Sequence, residues 1–169
     1  MKESVAQCRF FQAVLAEAVV GLDDSHRAIL PLPGAKTAGW ILGHLAVTGD
    51  FALKLCGRQP VCPKDWRAKY NPGSTPSTNP ADYPPMAELI AKVRAIYSGL
   101  CDAAMTVDPA SLEIPNPFVP ARSAYPTAAD FVPHMLAGHL AYHTGQLVGW
   151  RAAAGLGRIK DIVAAAASA

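Results

Sequence analysis

The distribution of proline constrains this chain most. Fifteen prolines fall mainly between four stretches of apolar residues recurring at helical spacing. The first stretch runs from about Ser4 to Ile29, with Phe10, Val14, Ala18 and Leu22 four apart and Phe11, Leu15 and Val19 alongside. Pro31, Pro33 and Gly34 stop it. The second spans about Lys36 to Cys56, where Trp40, Ile41, His44, Leu45, Val47, Thr48, Phe51 and Leu55 share a face and Gly57 follows at the C-terminal position. The third begins near Pro85 and places Met86, Leu89, Ile90, Val93, Ile96, Tyr97 and Leu100 inward. The fourth starts near Thr127 or Asp130 and continues to about Ala154, ahead of Gly155 and Gly157. Thr127 and Asp130 have capping-box spacing, with Asp in place of Glu. If Asp130 is the cap, Pro133 sits in the first turn; if Thr127 is, the helix must bend at Pro133.

Strand signals are nearly absent, and the expected fold is an all-α four-helix bundle in one domain over residues 1–169. Two long connections, 58–84 and 106–125, allow a crossover order. The first carries Pro60, Pro63, Pro72, Pro76, Pro80 and Pro84, so regular structure is not expected there. Trp66 and Tyr70 give that segment something to anchor. The tail, 158–169, ends in Ala and Ser and is expected to fray.

A formal net charge of +2, without a basic run or basic helix face, excludes the usual footprint of a nucleic-acid or anionic-membrane partner. No apolar stretch has the length of a bilayer span. Met1-Lys2-Glu3-Ser4 followed by Gln7, Arg9, Gln12 and Glu17 is not a secretory signal, so a cytoplasmic location is expected. Cys8, Cys56, Cys62 and Cys101 lack metal-knuckle or redox spacing and read as unlinked thiols.

Chemistry concentrates in the histidines. His139 and His143 lie four apart in the fourth helix, so both imidazoles leave one face a turn apart. Leu136, Leu140, Leu147 and Trp150 flank them, making that face the inward one. Two imidazoles alone hold a divalent ion weakly, and His44, inward at the middle of the second helix, is the candidate third ligand. Three buried rings need partners or cost several kcal/mol together, roughly; a shared cation satisfies them at once. The alternative is three core histidines bonded to carbonyls or water. His134 is five residues before His139, about 140° around an α-helix, and belongs at the helix entrance or cleft mouth. His26, near the end of the first helix, suits the helix dipole. Gln146 is placed to orient a ligand ring, and Tyr142 and Thr48 are further polar candidates. Trp40, Trp66 and Tyr70 are candidate cleft walls. No inward carboxylate accompanies the histidines, which disfavours a carboxylate-rich di-iron site.

Two segments, Gly39-Trp40-Ile41-Leu42-Gly43-His44-Leu45 and Gly138-His139-Leu140-Ala141-Tyr142-His143-Thr144-Gly145-Gln146-Leu147, resemble the two metal-bearing helices of the DinB/YfiT-like superfamily. The resemblance covers roughly Ser4 to Gly157. It implies a four-helix bundle with one three-histidine metal site and maps the ligands onto His44, His139 and His143. Members are often dimers, and their characterised activities are mostly thiol-dependent: S-transferases and isomerases that use bacillithiol, mycothiol or glutathione. The expectation is a divalent-metal-dependent enzyme with a three-histidine site that transfers or adds a low-molecular-weight thiol to an electrophilic small molecule. Zn²⁺ is the first choice of ion, with Ni²⁺, Fe²⁺ and Mn²⁺ served by the same ligands. The competing expectation is a non-catalytic metal-binding or stress-related protein of the same fold.

Overall fold

The computed structural model describes residues 1–157 and residue 159. The tail beyond lies outside the described residues, apart from that one position. Helix α1 spans Lys2–Ala18, α2 Ala38–Leu55, α3 Trp66–Tyr70, α4 Met86–Thr106, α5 Ala128–His134 and α6 Leu140–Ala153. A π-turn over Met135–His139 joins α5 to α6. The described residues contain no strand. None of their helices is long and apolar enough to cross a membrane.

With α5, the π-turn and α6 counted as one rod, four helical units surround a core. Helix α4 packs on α2 and on α1, and α6 packs on α1 and on α2. The order around the bundle is therefore α1, α4, α2, α6. Consecutive α1 and α2 sit diagonally, as do α4 and α6, so the chain crosses the bundle twice. The 58–84 segment joins the neighbours α2 and α4.

Helix α2 is the buried centre. Nearly all its residues from Ala38 to Leu53 are inaccessible, including His44 and Asp50. Its inward stripe alone does not explain this; α4, α6 and the 58–84 segment close on different sides, as expected of a helix apolar all round. Small residues permit the approach. A Cβ on Gly43 would lie 2.6 Å from ring atoms of Tyr70, and one on Gly39 would lie 2.7 Å from the Tyr83 ring. Thr37 caps α2 by accepting from the Trp40 backbone N–H at 3.2 Å.

Helix α1 ends earlier than its periodicity suggests. It stops at Ala18, Gly21 turns the chain at φ 75°, and a short 3₁₀ turn follows over Asp24–His26. His26 thus belongs to that separate turn, bonded to Asp23, rather than to the end of α1. Phe10, expected on the stripe, is 40% exposed; Val5, Cys8, Val14, Leu15 and Ala18 form the buried face. The 3₁₀ turn has a structural role: the Asp24 carboxylate accepts from the Met86 backbone N–H at 2.7 Å and caps α4 from outside the helix.

The 58–84 segment also departs from expectation, because it contains α3 and a 3₁₀ turn at Pro80–Asp82. Trp66 and Tyr70 are 3% and 1% exposed, and their burial pins α3 to α2. All four cysteines are free thiols, with the Gln12 amide donating to both Cys8 and Cys101.

Candidate metal centre

His44 projects from α2, His139 from the end of the π-turn and His143 from the first turn of α6. One ring nitrogen from each lies within 4.8 Å of the other two. Ring centroids are 4.5 Å apart for His44 and His143, 4.5 Å for His139 and His143, and 5.3 Å for His44 and His139.

Two of the rings are held by a second partner. His44 Nδ1 lies 2.7 Å from the carbonyl oxygen of Tyr70, an acceptor only, so this nitrogen carries the proton and Nε2 keeps its lone pair. His143 Nδ1 lies 2.8 Å from Gln146 Oε1, which fixes the same tautomer. Trp40 stacks on His44 with centroids 4.6 Å apart and planes 9° off parallel. The indole is itself tied down, donating from Nε1 to Ser74 Oγ at 2.9 Å.

His139 differs. Its Nδ1 is buried and has no hydrogen-bond partner among the described residues. Such an orphan is costly in a protein interior. A cation, or a molecule bound beside one, is the partner that this cluster suits chemically. Burial above all, and then the neighbouring rings of His143, His44 and His134, push the His139 pKa down to about 2. Burial and the His44 ring bring His143 down to about 4, partly opposed by the bond to Gln146. Burial lowers His44 as well. All three rings are therefore neutral near pH 7, the state that ligates metal.

The π-turn changes the placement of His134. In an α-helix, residues five apart point away from each other; in a π-turn the i→i+5 repeat stacks them. The His134 ring accordingly lies 6.1 Å from that of His139, not on a remote face. It is not one of the three clustered rings. Tyr125 holds it, by a 2.9 Å contact between the hydroxyl and Nδ1 and by stacking at 4.4 Å. Pro133 lies just ahead of this irregular turn, where it removes a helix N–H and crowds the carbonyl four residues back. Thr127 is the cap, in a full capping box with Asp130, so Pro133 falls inside the helix.

A cavity of about 450 Å³ opens beside the cluster, with His139 and His134 in its wall. Phe51, Phe118, Phe131 and Met135 supply apolar lining, and Arg67, Asn71 and Pro72 reach it from the 58–84 segment. Trp40, Trp66 and Tyr70 are not among its lining residues. Trp40 and Tyr70 border a separate small cavity, and Trp66, the first residue of α3, is buried. Thr48 does line the cavity beside the cluster while its hydroxyl donates to the His44 carbonyl at 2.6 Å. Tyr142 is 63% exposed, and its ring makes a T-shaped pair with that of His143, centroids 4.9 Å apart. The wall residues Phe118 and Phe131 carry no motif that sets them apart in sequence; the folded crossing of 107–127 brings Phe118 here, against Phe131 of α5.

These features define an all-α bundle whose core presents three neutral imidazoles that can share one metal ion, with an adjoining apolar cavity. A family model described as the DinB superfamily matches residues 7–147, and the chain belongs to that superfamily. No curated protein and no solved structure matches it.

Proposed function

We propose that this protein is a divalent-metal-dependent enzyme that transfers or adds a low-molecular-weight thiol to an electrophilic small molecule. The observation that supports it most is the combination of three imidazoles within 4.8 Å of one another and a cavity beginning at one of them. Three neutral ligands leave a position open, unlike a closed four-ligand structural site. Zn²⁺ is the proposed ion, since imidazole and thiolate both suit it. The thiol rests on the family resemblance. A divalent ion held by His44, His139 and His143 would supply Lewis acidity, which would favour the thiolate form of a thiol beside it.

The chain's own residues supply orientation. Tyr70 and Gln146 hold His44 and His143 with their Nε2 lone pairs available. The phenylalanine wall excludes water from one side of the reacting atoms and strengthens electrostatic interactions there. In the transfer reaction the thiol proton passes to solvent, the sulfur forms a bond to the electrophilic carbon, and the leaving group departs with its bonding pair. In the addition reaction that proton instead ends on the substrate.

Metal content should be near stoichiometric in protein purified without a histidine tag and lost in His44→Ala and His143→Ala. With metal established, consumption of an electrophile such as 1-chloro-2,4-dinitrobenzene should require bacillithiol, mycothiol or glutathione, and should vanish in His139→Ala. Retained metal without turnover across a panel of electrophiles would instead favour a binding protein of the same fold. Absence of metal after supplementation would overturn the proposal.

A further inference from the structure

We infer that the cavity beside the histidine cluster selects an apolar, ring-bearing acid, with Arg67 as the counter-ion of its carboxylate. This names the substrate class of the proposed enzyme and rests on that reading only for the chemistry that follows binding.

The apolar half of the inference comes from the wall. Phe118 stacks on Phe131 with centroids 6.0 Å apart, and Phe51 meets Phe131 edge-on at 6.4 Å. The three rings form one aromatic surface inside a cavity of about 450 Å³. That volume is within the common range of small-molecule sites, about 300–1,000 Å³. Aromatic walls favour flat or apolar bodies through burial and edge or stacked ring contacts.

The acidic half comes from charge. The lining contains Arg67 but no Asp or Glu. Among the described residues the Arg67 side chain makes no hydrogen bond or ion pair, whereas its neighbour Lys69 is paired with Asp65. Asp50, the buried carboxylate of α2, accepts from the Val61 backbone N–H at 2.7 Å and is not in the lining. The clustered imidazoles carry no negative charge, so a bound divalent ion would leave the region more positive still. An anionic group at the cavity is therefore favoured, and a guanidinium receives a carboxylate with two parallel N–H donors.

Placement makes this specific. Trp66 and Tyr70 are buried, which fixes the short helix between them, and Tyr70 also accepts from His44. Arg67 is presented to the cavity by the same five-residue helix that orients a candidate ligand. Its carboxylate partner would thus be held on one side of the cavity while the apolar body extends along the phenylalanines toward His139.

The test is equilibrium binding, independent of turnover. Titrate 3-phenylpropanoate and its uncharged amide, 3-phenylpropanamide, into metal-loaded and metal-free wild type, Arg67→Gln and Phe118→Ala, by calorimetry or ligand-observed NMR. The acid should bind about tenfold tighter than the amide, and added salt should reduce the difference. Arg67→Gln should erase that preference in both metal states, and Phe118→Ala should weaken acid and amide alike. Circular dichroism checks that each variant is folded; Arg67 is exposed, so its replacement should leave the fold intact. Equal affinity for acid and amide, a preference untouched by Arg67→Gln, or no saturable binding of either would overturn the inference. An Arg67-dependent preference in a protein without turnover would keep it while removing the enzyme proposal. Thiol transfer to neutral electrophiles without acid preference would do the reverse.

Discussion

The two sides of the histidine cluster are built on different terms. His44 and His143 lie in regular helix, and each has its Nδ1 committed to an oxygen, at 2.7 Å and 2.8 Å. His139 ends a π-turn, has an Nδ1 without a partner among the described residues, and faces the cavity. The contrast teaches that the cluster has a fixed pair and an adjustable third member. The fixed pair sets where an ion can sit. His139 can respond to what occupies the cavity without breaking a hydrogen bond.

The largest expected effect tests the fixed pair. His44→Ala and His143→Ala should each abolish stoichiometric metal, read by elemental analysis, because two imidazoles remain in either case. Retention by either variant would break the comparison at its root. Next comes the packing that places the Tyr70 carbonyl. Gly43→Ala puts a methyl 2.6 Å from the Tyr70 ring, against an aromatic side chain already buried. Overpacking of this kind costs about 1–3 kcal/mol, which a urea titration will resolve. Metal affinity should fall with it, since the ring cannot shift without moving α3.

Gln146→Ala should weaken metal binding by about 10–100-fold, the usual cost of losing the partner that orients a ligating histidine. The fold should stay intact, because Gln146 is a helix residue with a partly exposed side chain. A competition titration against a chromophoric chelator reads the change. An unaltered affinity would show that the bond to His143 is incidental, and the distinction between fixed and adjustable rings would then rest on His44 alone.

How much of this was open to inspection in the sequence depends on the range of the interactions. The inward placement of His44, His139 and His143 is legible because helical spacing is local and apolar neighbours mark the face. Gln146 is legible for the same reason, three residues from the ring it touches. The π-turn is not: Pro133 signals a disturbance, but whether it yields a kink, a break or an inserted residue depends on packing against Tyr125 and the core. α-Helical arithmetic turns His134 away from His139 for that reason, although its place at the cleft and outside the three-ring cluster agrees with the sequence reading. Helix α3 is hidden by the surrounding prolines, and a five-residue helix has too little length to show periodicity. Its burial depends on Gly43, across the fold. The apolar residues after Ala18 extend the apparent first helix, although the positive φ of Gly21 ends it. Phe118 reaches the cavity through tertiary crossing, which has no local mark.

The smallest expected effect is on pH dependence without metal, and it tests the burial of both kinds of ring. The His139 and His143 pKa values fall from the ordinary 6.5 to about 2 and about 4 on folding. Below pH 6.5 the unfolded chain binds protons that these folded rings refuse, so the unfolded state gains and stability falls with pH. The full contribution is present above pH 6.5. Both rings reduce stability as pH drops toward about 4, and below that only His139 continues to do so, toward about 2. Each contributes a slope of at most about 1.4 kcal/mol per pH unit. Urea titrations of metal-free protein at pH 7.5, 6.0 and 5.0 stay above the range in which the lowered carboxyls of Asp23 and Asp130 titrate. Wild type should lose stability across that series, and His139→Gln should lose less by the slope of one histidine. Equal slopes in the two proteins would mean that His139 takes up its proton in the folded state, and that its side of the cluster opens to water more readily than the fixed pair.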